Sequence, residues 1–250
     1  MGDTVVVRAQ TAGPGLTQVE RVVDTFVAPS KTFKDILRDT SWGLPFLLAV
    51  VVTLGTTFVI DRQVGFDRVV ENVLHDSPKQ EEQLSTLTPE QRASRLKGMA
   101  AGYRYTSYAS PIFILVISAI GALVNWGSFN FGLGAQTTFG QMFCLWMYCS
   151  LPRLLSGVLT ALTIYFGGNA ESFDLKNPVG TNLGYYLPDS APWLKTGLAF
   201  FDVIGIWTLV LLVMGTAIVA KVSRGKAAAV VVGWWALLLI VSVAMTAAFS

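Results

Sequence analysis

An all-helical membrane protein with five transmembrane helices, an amphipathic N-terminal segment and an extramembrane helical insert between spans one and two is the fold this sequence predicts. Three observations predict it. Hydrophobic residues make up 52% of the 250 and charged residues only 14%, the reverse of the balance a water-facing surface needs. The charges are also segregated: five apolar windows totalling 113 residues hold two of the 34 charged side chains, and the other 137 residues hold 32. Finally, most windows reach the roughly 20 residues that carry a helix across about 30 Å of hydrocarbon. They are Leu44 to Ile60, Pro111 to Gly134, Gln141 to Phe166, Leu198 to Ala220 and Ala227 to Phe249. The first, with 17 residues, is the shortest, and it either borrows Trp42 and Gly43 or dips less deeply.

Residues 1–41 form the N-terminal segment and residues 42–250 the membrane domain. Val19, Val22, Val23, Phe26 and Val27 recur at helical spacing, with Glu20, Arg21 and Asp24 opposite, which predicts an amphipathic helix. Pro29 stops it, and Ser30 is placed to cap a second helix whose Phe33, Ile36 and Leu37 share one side near Lys31, Lys34 and Arg38. Such a segment either lies flat on a membrane surface or packs against the bundle. Ser41 and Pro45 mark the start of span one, with Trp42 where an interfacial aromatic belongs. The long polar stretch before the first window argues against a cleavable secretory signal.

Residues 61–110 are a polar insert with seven basic and seven acidic side chains, too long for a simple loop. Val64, Phe66, Val69, Val70, Val73 and Leu74 predict a helix continuing out of span one. Thr88, Pro89 and Gln91 read as cap, first and third positions of a later helix running to about Tyr105. The insert therefore reads as a helical hairpin, with the lone His75 in a solvated turn. The short uncharged turn Gly132 to Gly140 makes spans two and three antiparallel neighbours. Residues 167–197, rich in Gly, Asn and Pro, read as a loop. Its Tyr185, Tyr186 and Trp193 mark a membrane interface or a binding surface. Lys221, Arg224 and Lys226 in the last connection, with no acid between them, argue for the cytoplasm. Parity then puts the N-terminus in the cytoplasm, and the insert, the 167–197 loop and the C-terminus outside.

Several chemistries find no residues here. A net charge of +2 without a basic block gives no footprint for nucleic acid. Cys144 and Cys149, five apart within a span, match neither a redox nor a zinc spacing and read as buried packing residues. There is no GxSxG, HExxH or phosphate-cradling glycine loop, so neither catalysis nor a cofactor is expected. The residues that need explanation are Asn125, Arg153 and Asp202, polar or charged inside apolar windows. At about 1.5 Å per residue, Asn125 lies about 21 Å from the outer start of span two, Arg153 about 20 Å from the outer end of span three and Asp202 about 6 Å inside span four. Asn125 and Arg153 are thus level, and a long arginine side chain can rise toward Asp202. The expectation is a clamp holding spans two, three and four together; the alternative is a substrate or proton pathway.

In order along the chain, Phe26-Val-Ala-Pro29-Ser-Lys-Thr-Phe33, Trp42-Gly-Leu-Pro45-Phe-Leu-Leu, Phe139-Gly-Gln-Met-Phe with Leu151-Pro152, Asn177-Pro178-Val-Gly-Thr-Asn182-Leu and Phe201-Asp202-Val-Ile-Gly-Ile-Trp207 resemble the membrane domain of the Yip family (Yip/Yif, Ypt-interacting proteins), in particular its bacterial branch. The resemblance runs from Phe26 to Ala248. It implies a five-helix membrane domain without known catalysis. Eukaryotic members are linked to Rab GTPases, but the Asp-Leu-Tyr-Gly-Pro motif that precedes their membrane domain is missing from this sequence, and Rab binding is not carried over. Some bacterial members resemble accessory proteins of ABC-type exporters. The expectation is a non-enzymatic accessory or scaffold protein of a bacterial inner membrane, in contact with the lipid bilayer and with other membrane proteins such as ABC exporter components; self-association stays open. The competing class is a small transporter or channel with a polar pathway near Arg153 and Asp202.

Overall fold

The computed structural model describes residues 15–75, 77–166, 173–175, 177–187 and 190–249. Within them the protein is helical, with one isolated antiparallel bridge between Asn182 and Asp202. Two short helices, α1 (Gln18–Val27) and α2 (Pro29–Asp35), precede the first long apolar helix, α3 (Gly43–Gln63). The insert holds α4 (Phe66–His75), α5 (Pro78–Ser85) and α6 (Pro89–Tyr108). Next comes α7 (Ser110–Gly127), which a π-helical turn extends to Gly132, followed by α8 (Phe139–Cys149) and α9 (Arg153–Phe166). A 3-10 turn (Leu183–Tyr186) leads to α10 (Pro192–Ala199), α11 (Val203–Val219) and α12 (Arg224–Phe249).

Among the described residues, four helices are long and apolar enough to cross a membrane: Gly43–Gln63, Ser110–Gly132, Phe139–Phe166 and Arg224–Ala248. The fourth apolar window is where the structure departs from expectation. It is not one helix from Leu198: α10 ends at Ala199, the chain turns through Phe200 and Phe201, and α11 starts afresh at Val203 with the Asp202 side chain as its cap. Its 17 residues extend about 26 Å, short of a full hydrocarbon thickness. A carboxylate satisfied by a backbone N–H, with Gly205 leaving room for it, favours a new helix start over continuation.

The core sits where α7, α8 and α11 meet. All of Met142, Phe143, Cys144, Leu145, Met147, Tyr148 and Cys149 are buried on α8, and two glycines permit that closeness. A Cβ at Gly121 would run into the Trp146 ring, and one at Gly215 into Leu145. Both cysteines are free and buried. By contrast, only 6% of the apolar window of α12 is buried, so this helix packs along one side and leaves much of its apolar surface outward.

The insert has a smaller core of its own. Gly65, at φ +80, ends the run of α3, and α4 then turns Val69, Val70, Val73 and Leu74 against Leu84 of α5, Ala100 of α6 and Phe173. Thr88 makes a reciprocal capping box with Gln91, as expected, and α6 runs to Tyr108. The hairpin reading is corrected by α5, an additional helix between its two arms. His75 closes α4 rather than lying in a turn. The segment 167–197 is likewise not all loop, since it contains the 3-10 turn and most of α10; Gly167, Gly168 and Asn169 lie outside the described residues. Asn72 donates to the Phe173 carbonyl at 2.8 Å, and Lys195 pairs with Asp174 at 3.7 Å, so insert and loop gather at one end of the bundle. The N-terminal helices, the turn at 134–141 and Lys221 gather at the other, as a cavity lined by Leu37, Gly134, Gln141 and Lys221 records.

Candidate functional site

The span that carries Arg153 is broken in its middle. α8 begins with a capping box between Thr138 and Gln141 and ends at Cys149. Pro152 has no N–H to continue the ladder. The chain passes through tighter turns, with Leu151 N–H on the Tyr148 carbonyl at 3.1 Å and Arg153 N–H on the Ser150 carbonyl at 3.0 Å. Helix α9 then restarts with Arg153 in its first turn. From Phe139 to Arg153 is about 21 Å of helix, and from Val219 back to Asp202 about 25 Å. With both starting residues at the same end of the bundle, the two charges come to similar depth.

Arg153 is exposed. Among the described residues no ion pair joins it to Asp202, although the Asp202 carboxylate is the charge that acts on its guanidinium. Asp202 is half-buried. One of its oxygens accepts from the Gly205 N–H at 2.6 Å, while its backbone bridges to Asn182 and the Val203 N–H donates to Thr181 O at 3.0 Å. Asn182 in turn donates to Asn177 Oδ1 at 3.0 Å and accepts from the Tyr185 N–H at 3.1 Å. Two asparagines from the 177–182 motif therefore fold back onto the head of α11. Asn125 is buried and donates to the Gly121 carbonyl of its own helix at 3.0 Å. The structure thus brings Arg153 and Asp202 into one neighbourhood, with Asn177 and Asn182 beside Asp202, and gives the Asn125 amide an intrahelical partner.

A second polar centre lies in the N-terminal helices, where hydrophobic periodicity points the wrong way. Val22 and Phe26 do face the bundle, Phe26 making an edge contact with Trp207 at 5.6 Å. Yet the residues of α1 that are fully enclosed are Arg21 and Thr25, at 1% and 0% exposure, while Val19, Val23 and Val27 stand out at 64%, 54% and 73%. Arg21 contacts Asp35 at 2.7 Å and Asp39 at 3.1 Å through Nη2, and its Nη1 donates to the Asp39 carbonyl at 2.9 Å. The Arg21 carbonyl accepts from Thr25 at 2.7 Å and Thr32 at 2.9 Å. Burial works against the guanidinium charge, but the hydrogen bond and charge of Asp35 outweigh it and hold the Arg21 pKa above its ordinary value. Hydrogen bonding from Ser41 first, opposed by burial and aided by the Arg21 charge, holds Asp39 below the usual carboxylate range.

Pro29 does not simply end α1. It occupies the first turn of α2, with Ala28 as the junction, and Ser30 lies inside that helix instead of capping it. The sequence signal available for this region is the Thr17-x-x-Glu20 spacing, which the structure realises as a capping box. No spacing rule joins Arg21 to residues 14 and 18 positions away. Gln18 then reaches across to accept from the Leu44 N–H at 2.9 Å, which ties α1 to the level at which the first span begins.

Among the described residues no three of His, Cys, Asp and Glu lie close enough together to hold a metal ion. The Yip1 domain matches residues 23–245, a span that includes α2 to α11, the Arg153 and Asp202 neighbourhood and nearly all of α12, and that begins two residues after Arg21. No curated protein and no solved structure matches the chain.

Proposed function

This chain belongs to the Yip1 domain family, and from its geometry we propose that it works as a non-enzymatic accessory or scaffold protein that binds other membrane proteins. The observation that carries this reading is the valine ridge of α1. A helix whose arginine is enclosed by two aspartates, and whose Val19, Val23 and Val27 face outward, is held as a contact surface. Its position beside the start of α3 puts that ridge at the membrane boundary, where a lipid interface or the juxtamembrane segment of a partner can cover it. That the partner belongs to an ABC-type exporter rests on the family resemblance alone.

The orientation proposed with it is a cytoplasmic N-terminus in a bacterial inner membrane, supported by the basic Lys221 to Lys226 connection and by its position at the same end of the bundle as α2. With native cysteines replaced, a cysteine probe at Gln83 is expected to react with an impermeant reagent from outside and one at Ser223 to be spared. The opposite pattern would sink the orientation.

Affinity isolation from native membranes in mild detergent tests the accessory role. Other membrane proteins are expected to be recovered with the wild-type chain and to be lost with the Val19→Ser/Val23→Ser variant. A second reading, a small transporter, is favoured by one observation, the exposed Arg153 with the Asp202 carboxylate nearby. Recovery of the chain alone, with solute flux in liposomes that Arg153→Ala abolishes, would favour it instead. The clamp proposed for Asn125, Arg153 and Asp202 predicts a third pattern: Arg153→Met with Asp202→Leu better folded than either single change, because a lone charge in hydrocarbon is worse than none.

A further inference from the structure

Helix α11 ends in a reciprocal backbone motif that normally calls for glycine. The Val222 N–H donates to Ala217 O at 3.1 Å and the Lys221 N–H to Ile218 O at 3.3 Å, the paired six-to-one and five-to-two bonds of a Schellman cap. The residue between cap and exit must take a left-handed conformation, and Lys221 has φ 54. It is the one non-glycine residue with positive φ among those described. A long branchless cation is a strained choice where glycine is free of penalty. A cation near a helix C-terminus complements the helix dipole, but that alone gives no reason to place it at the left-handed position.

The surroundings supply one. Lys221 lines a cavity of about 350 Å³ together with Leu37 just past α2, Gln136 from the turn before α8, Gln141 from the first turn of α8, and Val219 and Ala220. Its lining combines the apolar Leu37, Val219 and Ala220 with two amides and a cation, and no carboxylate lines it. Gln141 uses its side-chain oxygen to accept from the Thr138 N–H, which leaves its Nε2 as a donor. Lys221, Arg224 and Lys226 are exposed, and among the described residues none of them makes an ion pair. Two exposed lysines of α2, Lys31 and Lys34, add positive charge at the same end of the bundle. The cavity also lies where α11 ends and α8 begins, at the head of the 28-residue span Phe139–Phe166, which is long enough to put its end at the depth of lipid headgroups.

We propose that the cavity between the ends of α2 and α11 and the turn before α8 is a binding site for the phosphate of an anionic phospholipid headgroup, with Lys221 as its charge partner and the Gln136 and Gln141 amides as hydrogen-bond donors. The strained conformation is retained because it places a cation at the rim of the cavity, and the apolar lining accepts the glycerol end of an acyl chain.

Lys221→Gly separates this role from a purely structural one, since glycine relieves the cap and removes the charge. The purified full-length protein is titrated with phosphatidylglycerol, with phosphatidylcholine and with inorganic phosphate, while thermal stability and retention of lipid in native mass spectrometry are measured. In the wild type, phosphatidylglycerol is expected to raise the melting temperature saturably and to be retained at least fivefold more than phosphatidylcholine. Lys221→Gly is expected to melt higher than wild type without lipid and to lose most of that response, whereas Lys226→Gln, outside the cavity lining, keeps it. A comparable response to inorganic phosphate would assign the site to free phosphate, and none would assign it to the lipid. An unchanged phosphatidylglycerol response in Lys221→Gly, or equal responses to the two lipids in the wild type, would overturn the proposal.

Discussion

Helices α1 and α4 are both ten residues long and both strongly amphipathic, yet only α4 docks with its full apolar face. Helix α4 does what a water-facing helix must: Phe66, Val69, Val70, Val73 and Leu74 go inward and Asp67, Arg68 and Glu71 stay outside. Helix α1 encloses Arg21 and Thr25 and leaves three valines outside. The difference lies in what each helix meets. α4 meets the apolar sides of α5 and α6, and no buried charge waits for it. α1 meets Asp35, a carboxylate with 7% of its side chain exposed, which would be ruinous to bury without a cation. At a membrane boundary, outward valines carry little penalty, because the medium there is not only water. Amphipathicity thus gives a helix two faces, and the neighbours decide which is inside.

The largest effect expected from breaking this contrast is at the ion pair. Arg21→Met leaves the buried Asp35 with only the half-exposed Arg38, 3.7 Å away, and should cost about 3 kcal/mol, read as a lower unfolding midpoint in detergent and faster amide exchange across α1 and α2. Arg21→Met with Asp35→Leu should recover most of it; no recovery would mean that the pair is not what holds α1 in place.

A matched substitution on the two helices comes next. Val73→Ser on α4 removes packed methyl groups from the insert core and should cost about 2 kcal/mol, with loosened exchange confined to α4, α5 and α6. Val23→Ser on α1 should stay within about 0.5 kcal/mol of wild type in detergent. Equal losses at the two positions would erase the distinction between a core face and a contact face.

Capping should be indifferent to docking. Thr17→Ala at the head of α1 and Thr88→Ala at the head of α6 each remove the side-chain half of a capping box and should each cost about 1 kcal/mol. A much larger loss at Thr17 would show that α1 depends on local helix formation more than on its ion pair.

The smallest effect is that of acid. Asp39 titrates below the usual carboxylate range in the folded chain, so its contribution is complete above its unfolded value of about 3.9 and is lost as pH falls through the lower folded value. Arg21, shifted upward, stays charged throughout that window. Protection of α1 in hydrogen exchange should therefore hold from neutral pH down to about pH 4 and weaken below it, modestly because the Asp39 side chain is 55% exposed.

The apolar windows, the capping residue Thr88, the buried cysteines and the presence of two charges within apolar windows were legible without coordinates, since each follows from composition or from contacts within a few residues. Thr17 and Glu20 were equally legible by spacing, and Pro152 announces the break in the third apolar stretch by lacking an N–H. The α5 helix was harder to see, because its sequence has a single apolar side chain, Leu84, to place on a core face. The restart of α11 at Asp202 depended on Gly205 and on the returning Asn182 segment, residues that meet the carboxylate only after the chain has folded.

Sequence by itself determined that this protein is helical, that it lives in a membrane and where most of its long apolar helices run, because burial in hydrocarbon acts on every residue of a span and leaves its mark in composition. Only the tertiary structure decided that α1 turns its arginine inward, that the fourth apolar window splits at Asp202 and that Lys221 lines a cavity. Those outcomes depend on one or two partners far along the chain, and a single distant carboxylate or amide leaves no periodicity to read.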